Sequence, residues 1–238
     1  IGAGTSFVTG YYEPEILGSR TQAPGYSVPI YKRPSDLIEA DLGLFSPELK
    51  GKRIRGRVQG ESFIPYADRA EIEGGWLKGR GLELAWAADT VDFFFLQVQG
   101  SGRIKLPSGR MIRVGYGGKN GHTYRSVGME LVRRGVYDSH QVSAEVIKNW
   151  VRRNPVDGEE LLRHNPSFVF FREVNQVPAE KGPLGAMNRS ITTLRSIAVD
   201  PQFVTLGAPV WIEKAGLEPM HRLMIAQDTG SAIKGAQR

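Results

Sequence analysis

Glycine and proline constrain this chain more than any other feature: 29 glycines and 14 prolines are spread through 238 residues with no repeat period. They cut the chain into short segments, which predicts many turns joining short elements in a β-rich fold. A fibre or a low-complexity tail would need periodicity or compositional bias. A chain of this length can bury one large core or two modest ones. With 40% apolar and 24% charged residues it reads as globular rather than disordered.

Several function classes drop out at once. The chain has no cysteine, which removes thiol catalysis, disulfides, iron–sulfur ligation and cysteine-based zinc sites. His122, His140, His164 and His221 show no metal-ligand spacing, so neither a metal nor another cofactor is expected. No run of 18 apolar residues occurs, so no transmembrane helix is expected. The start at Ile1, without Met, signal peptide or lipid-accepting Cys, suggests a processed piece. A formal charge of +6 favours polyanions in general. The basic residues are scattered, however, and the clusters at Lys50, Lys52, Arg53, Arg55, Arg57 and at Arg152, Arg153 read as solvated surface. Nucleic acid is not the expected partner.

Along the chain, residues 6–13 (SFVTGYYE) predict a first strand and residues 24–32 a second short extended piece. Ser46-Pro47 has the form of a helix start, and residues 65–74 a short helix. Residues 89–102 (DTVDFFFLQVQGSG) predict a strand, with Phe94, Leu96 and Val98 on one face and Val91, Phe93, Phe95, Gln97 and Gln99 on the other. Changing from Phe to Gln along one face, it would leave a core and enter a polar cleft. Residues 111–116 would pair with it as a hairpin, and the glycine-rich residues 117–121 would be irregular. Helices are expected over 124–134, 142–153 and from Asp157 to Arg163, the last with Glu160 at capping-box spacing. A buried strand at 168–172 precedes a Pro- and Gly-rich break at 177–185. Strands follow at 195–199, 208–213 and 223–226. This order suits either a domain inserted into a β-domain or two tandem domains.

The strongest local signal for chemistry is AQDTGSAIKG at residues 226–235, where a strand runs into Asp228 and a small-residue turn. An acid at a strand end, beside glycines that let a ligand approach the backbone, suits acid–base work; capping its own turn is the alternative. The Asp-Thr-Gly triplet also occurs in aspartic proteases, which need a second triplet that this chain lacks. Asp200 precedes Pro201, a good turn starter, and could bias a neighbouring carboxyl. Tyr11, Tyr12 and Glu13 could offer aromatic faces to sugar rings, with Glu13 a possible glycosidase acid. Gln97, Gln99, Ser101, Lys119 and Asn120 carry groups that suit sugar hydroxyls and N-acetyl groups. The residues alone thus point to glycan handling by carboxylates and amides.

Longer motifs sharpen this. TGYYEP (9–14), FFLQVQGSG (94–102), YGGKNGHTYRSVG (116–128) and NPSFVFFRE (165–173) resemble the signature blocks of the membrane-bound lytic murein transglycosylase A family. The tail from Arg195 to Gly235 is similar to that family's three-aspartate domain. The blocks span nearly the whole chain in the family's order. The resemblance implies a mainly β fold: a double-psi β-barrel from residues 1–16 and 176–238, a second β-rich domain inserted at 17–175, and a glycan groove across the two. It implies cleavage of the β-1,4 bond between N-acetylmuramic acid and N-acetylglucosamine in peptidoglycan. The muramic acid C6 hydroxyl attacks C1 to leave a 1,6-anhydro end, and a single aspartate serves as acid and base. Asp200 (in VDP) matches the first of the three aspartates and Asp228 (in QDTG) the second, both in supporting roles. The third, the acid/base, is expected just beyond Arg238. The substrate-binding positions it implies are Thr9, Tyr11, Tyr12, Glu13, Gln97, Gln99, Gly100, Ser101, Gly102, Tyr116, Lys119, Asn120 and Gly121. It further implies a monomer anchored by an N-terminal lipid at the periplasmic face of a bacterial outer membrane, with peptidoglycan strands as partner. The alternatives are a non-catalytic peptidoglycan-binding module and a hydrolysing muramidase, the latter needing two carboxylates about 5–10 Å apart.

Overall fold

The computed structural model describes residues 8–10, 12–175, 177, 181–215, 219–230 and 233–236. It divides into two compact units, one of Ile1–Glu13 with Val174–Arg238 and one of Pro14–Glu173.

The larger unit begins with β1 (Glu15–Ser19) and β2 (Val28–Tyr31), then β3 (Ile38–Asp41), β4 (Arg53–Gln59) and β5 (Ser62–Pro65). A helical turn, α1 (Arg69–Glu71), leads through a wider turn to β6 (Glu83–Ala87). Then come α2 (Thr90–Gln99), the hairpin β7 (Gly102–Lys105) and β8 (Met111–Lys119), helices α3 (Val127–Arg133), α4 (Ala144–Arg153) and α5 (Pro155–Arg163), and β9 (Val169–Glu173). A six-stranded sheet runs in the order β2-β6-β1-β7-β8-β9, and β3-β4-β5 form a separate three-stranded sheet. The smaller unit holds β10 (Ser196–Ala198), β11 (Pro209–Lys214) and β12 (Met220–Asp228) in the order β10-β12-β11. β10 lies parallel to β12, and β11 antiparallel to it. The fold is mainly β, with its helices gathered in the larger unit.

Residues 90–99 form a helix rather than the expected strand, and the reason is local and tertiary together. Asp89 accepts a hydrogen bond from the Asp92 amide at 2.8 Å, an N-cap, and Gly100 closes the other end at φ +77. Between them α2 is buried on two sides. Phe93 and Leu96 pack into the core of the six-stranded sheet, where Phe93 meets Phe168 and Phe171 at ring separations of 6.1 and 6.2 Å. Val91, Phe94 and Phe95 join Val127, Leu131, Ile147, Val151, Leu161 and Leu162 of the helices in a second core. A helix apolar on both sides has no amphipathic stripe, and a short apolar run then reads equally well as a strand.

Other boundaries shift for related reasons. The described residues of 6–13 carry no strand; the first strand, β1, starts at Glu15 and pairs with β6 and β7. The hairpin partner of β8 is β7, and β8 continues through Gly117 and Gly118 to Lys119. The strand survives there because Gly117 lets the backbone of Phe171 approach: a Cβ would lie 2.8 Å from it. The register shifts between Tyr116 and Gly118, a bulge. Helix α5 opens at Pro155, the first-turn position that tolerates proline, rather than at Asp157. Ser46-Pro47 opens only a short 3-10 turn.

Candidate functional site

Two groups of expected site residues stand on different units. In the smaller unit, parallel pairing sets Ala198 of β10 beside Asp228 at the end of β12, so Asp200 follows one strand end while Asp228 forms the other. The Val199 amide donates to the Asp228 carbonyl at 3.0 Å. Asp228 Oδ1 accepts from the Ala186 amide at 2.9 Å, and the Met187 amide donates to the Gln227 carbonyl at 3.3 Å. Residues 186 and 187 therefore clamp the strand end that presents Asp228. Ser196 Oγ and Gln227 Oε1 add a short side-chain link between the two strands.

Asp200 is in a different situation. It is buried, and its carboxylate accepts from the Gln202 amide at 3.1 Å and the Gly235 amide at 2.9 Å. Hydrogen bonding from Gly235, then from Gln202, holds its carboxyl below the usual aspartate range. Its carbonyl also accepts from the amides of Phe203 and Val204. A carboxylate tied in this way closes a turn and resists taking a proton; Asp200 is built to hold the 200–204 turn to Gly235.

In the larger unit the expected sugar-contact residues separate into buried and exposed. Asn120 is wholly buried: Nδ2 donates to the carbonyls of Ala67 at 3.0 Å and Pro166 at 2.9 Å. Its Oδ1 accepts from the amides of Phe168 at 2.9 Å and His122 at 3.4 Å. With every polar position used internally, Asn120 ties these segments together. Gln97 is buried on α2, its Nε2 donating to the Val169 carbonyl at 2.9 Å. Gly102 is buried too. A Cβ there would overlap Leu96 and lie 2.6 Å from the Pro14 carbonyl oxygen, so its lack of a side chain serves packing. Gly100 serves the helix C-cap. All four shape the packing of this unit, and Gln97 Oε1 has no hydrogen-bond partner among the described residues.

Exposed and open to a ligand are Thr9, Tyr12, Gln99, Tyr116 and Gly121, while Glu13, Ser101 and Lys119 are half-buried. Tyr11 lies outside the described residues. Tyr116 is 49% exposed. Partial burial pushes its phenol up, with Arg55 and Arg33 drawing it down and Glu39 adding to the rise. Sequence reasoning missed Arg33, and it took Arg55 for plain surface charge. The signal lay in the alternation Arg53, Arg55, Arg57, which β4 turns into one charged face above Glu39 and Asp41 of β3. Among the described residues no group of His, Asp and Glu could hold a metal ion.

Known proteins place this arrangement in context. The MltA specific insert domain family matches residues 7–172, and the 3D domain family matches residues 195–238. The chain is 32% identical over 237 residues to membrane-bound lytic murein transglycosylase A of Escherichia coli, covering 95% of this chain and 56% of that protein. Crystallised MltA from Neisseria gonorrhoeae superposes with a TM-score of 0.84 at 36% identity, over 97% of this chain and 64% of the other. The crystal structure of E. coli MltA with bound chitohexaose gives 0.77 at 31% identity, over 96% and 62%. The chain thus spans 56% of the first of these relatives and under two thirds of the others.

Proposed function

The chain belongs to the membrane-bound lytic murein transglycosylase A family, and on that premise we propose that it is part of an enzyme that cuts peptidoglycan strands without water. The observation that carries the reading is the joint match to the insert and 3D domains in one chain, with two aspartates of the 3D domain at neighbouring parallel strand ends.

In the proposed reaction the C1–O4 bond between N-acetylmuramic acid and N-acetylglucosamine breaks, and the departing O4 takes a proton from a carboxylic acid. The muramic acid C6 oxygen forms the new bond to C1, and its proton passes to the resulting carboxylate. Atoms balance with no water consumed. The internal nucleophile is already tethered to its target, so no second carboxylate is needed to activate one. The family resemblance assigns the acid/base to an aspartate expected after Arg238. Asp228 supports it: the amide of Ala186 fixes the orientation of its carboxylate at the strand end. Asp200 acts on the fold of that turn. Exposed Tyr12 and Tyr116 supply apolar faces for sugar rings, and Gln99, Ser101 and Lys119 supply hydrogen bonds.

The same reading proposes a double-psi barrel for the smaller unit, with the larger unit inserted into it. It also proposes a monomer held by an N-terminal lipid at the periplasmic face of the outer membrane. Incubating the full-length protein with purified sacculi tests the activity. Release of soluble muropeptides is expected; tight binding with no release would favour a non-catalytic binding module.

A further inference from the structure

Resting on the glycan reading above, we propose that Arg33 and Arg55 form a carboxylate subsite, gathered on the glycine segment that follows Tyr116, which reads the acidic peptide substituents of a muramic-acid glycan.

The segment Gly117–Gly121 brings the two arginines together from elements distant in sequence. At Gly118, φ +152, a Cβ would lie 3.1 Å from Arg33 Cδ and 3.6 Å from its Nε, so the stem of Arg33 lies against bare backbone. At Gly121, φ +96, a Cβ would lie 2.7 Å from Arg55 Cβ and 3.0 Å from the Arg55 carbonyl oxygen. Any other residue at either position would push an arginine away. The glycines are thus explained by what packs on them as well as by the bulge in β8.

Both guanidinium groups are held before any ligand arrives. Arg33 Nη2 donates to the Leu37 carbonyl at 2.8 Å; the side chain is exposed and has no carboxylate partner among the described residues. Arg55 is paired with Glu39, which also accepts from Arg53 at 2.9 Å. On this face Arg53 and Arg55 stand against Glu39 and Asp41, and Arg33 adds a further cation beside Tyr116. Arg57 is engaged elsewhere, over the ring of Trp76 at 5.6 Å. Tyr116, half-exposed, lies in the field of Arg33, Arg55 and Glu39, so an aromatic plane for a sugar and cations for its substituent share one cluster.

The chemistry singles out the ligand. Chitin-type strands of N-acetylglucosamine carry no charge. Muramic acid carries a lactyl ether whose peptide ends in carboxylates, and guanidinium forks pair with carboxylates through two parallel N–H donors. Donors fixed beforehand lose little entropy on binding. This cluster would separate murein from a neutral glycan that fits the same sugar contacts.

The test compares the full-length protein with Arg33→Gln and Arg33→Lys, titrated with peptide-bearing muramic-acid glycan fragments and with chitohexaose. Arg33 is exposed and makes one backbone hydrogen bond, so the fold should survive. Arg33→Gln should weaken binding of the acidic fragments roughly tenfold, as expected for loss of a charge-assisted pair. It should flatten their salt dependence and leave chitohexaose within about twofold, while Arg33→Lys retains part of the affinity. Unchanged binding of the acidic fragments, or equal loss on both ligands, overturns the subsite. A parent protein that binds neither ligand overturns the glycan reading itself.

Discussion

Replacing Asn120 with alanine separates its two possible roles, strut or sugar contact. The side chain is wholly buried and makes three short hydrogen bonds, to the carbonyls of Ala67 and Pro166 and from the amide of Phe168, with a longer one from His122. Truncation leaves those partners buried and unmade, at about 1–3 kcal/mol each with carbonyls at the lower end, so the loss should be about 4 kcal/mol. With an m-value of about 2 kcal/mol/M in urea, the unfolding midpoint should fall by about 2 M. Tryptophan fluorescence reports on this, because Trp76, Trp86 and Trp150 all lie in the same unit as Asn120. Asn120→Asp keeps the acceptor for Phe168, loses both donors and buries a charge, so it should be destabilised at least as much. KM for glycan strands, measured on folded protein well below the midpoint, should not change. A midpoint within about 0.5 M of the parent together with a raised KM would refute the strut assignment.

Other perturbations follow from the same geometry. Gly102→Ala places a Cβ against Leu96 and the Pro14 carbonyl and should destabilise the larger unit by about 1–3 kcal/mol, read as a lower thermal midpoint; an unchanged midpoint would mean the backbone yields freely there. Glu130, buried on α3, has its carboxyl held down to about 2 by hydrogen bonds from Arg133 and then Arg134. A depressed carboxyl lends stability above its unfolded pKa of 4.5 that is lost as pH falls toward 2, so acid titration of Glu130→Gln should show a shallower stability loss across that window than the parent. Asp228→Asn in the full-length protein should keep the fold and lose most turnover, whereas Asp200→Asn should lower stability at neutral pH. Near-normal turnover in the first, or unchanged stability in the second, would reverse those roles.

Much of the architecture was legible from the chain. The helices expected over 124–134 and 142–153 are found as α3 and α4, and the strand expected at 208–213 as β11. What escaped was decided by neighbours distant in sequence. Helix α2 hides because two cores take its opposite faces, although Asp89 and Gly100 mark its ends. The sheet of β3, β4 and β5 was missed because its apolar side stays exposed at Ile54, Val58 and Phe63, so its strands lack the pattern that a core imposes. At the site, the residue types in the glycine-rich blocks were informative about chemistry but silent about depth. Asn120 and Gln97 carry ligand-like amides that lie buried, while Arg33 and Arg55 become neighbours of Tyr116 only once β4 and the residues after β2 pack on Gly118 and Gly121.

The central claim concerns the nucleophile, and the mass of the new glycan ends tests it directly. Glycan strands digested by the full-length protein in ¹⁸O-labelled water should yield ends lighter by one ordinary water, about 18 Da, than unlabelled reducing ends, since attack by the substrate's own hydroxyl excludes water. No label should enter at C1. Reducing ends carrying one labelled oxygen would contradict the account and establish a hydrolase in its place.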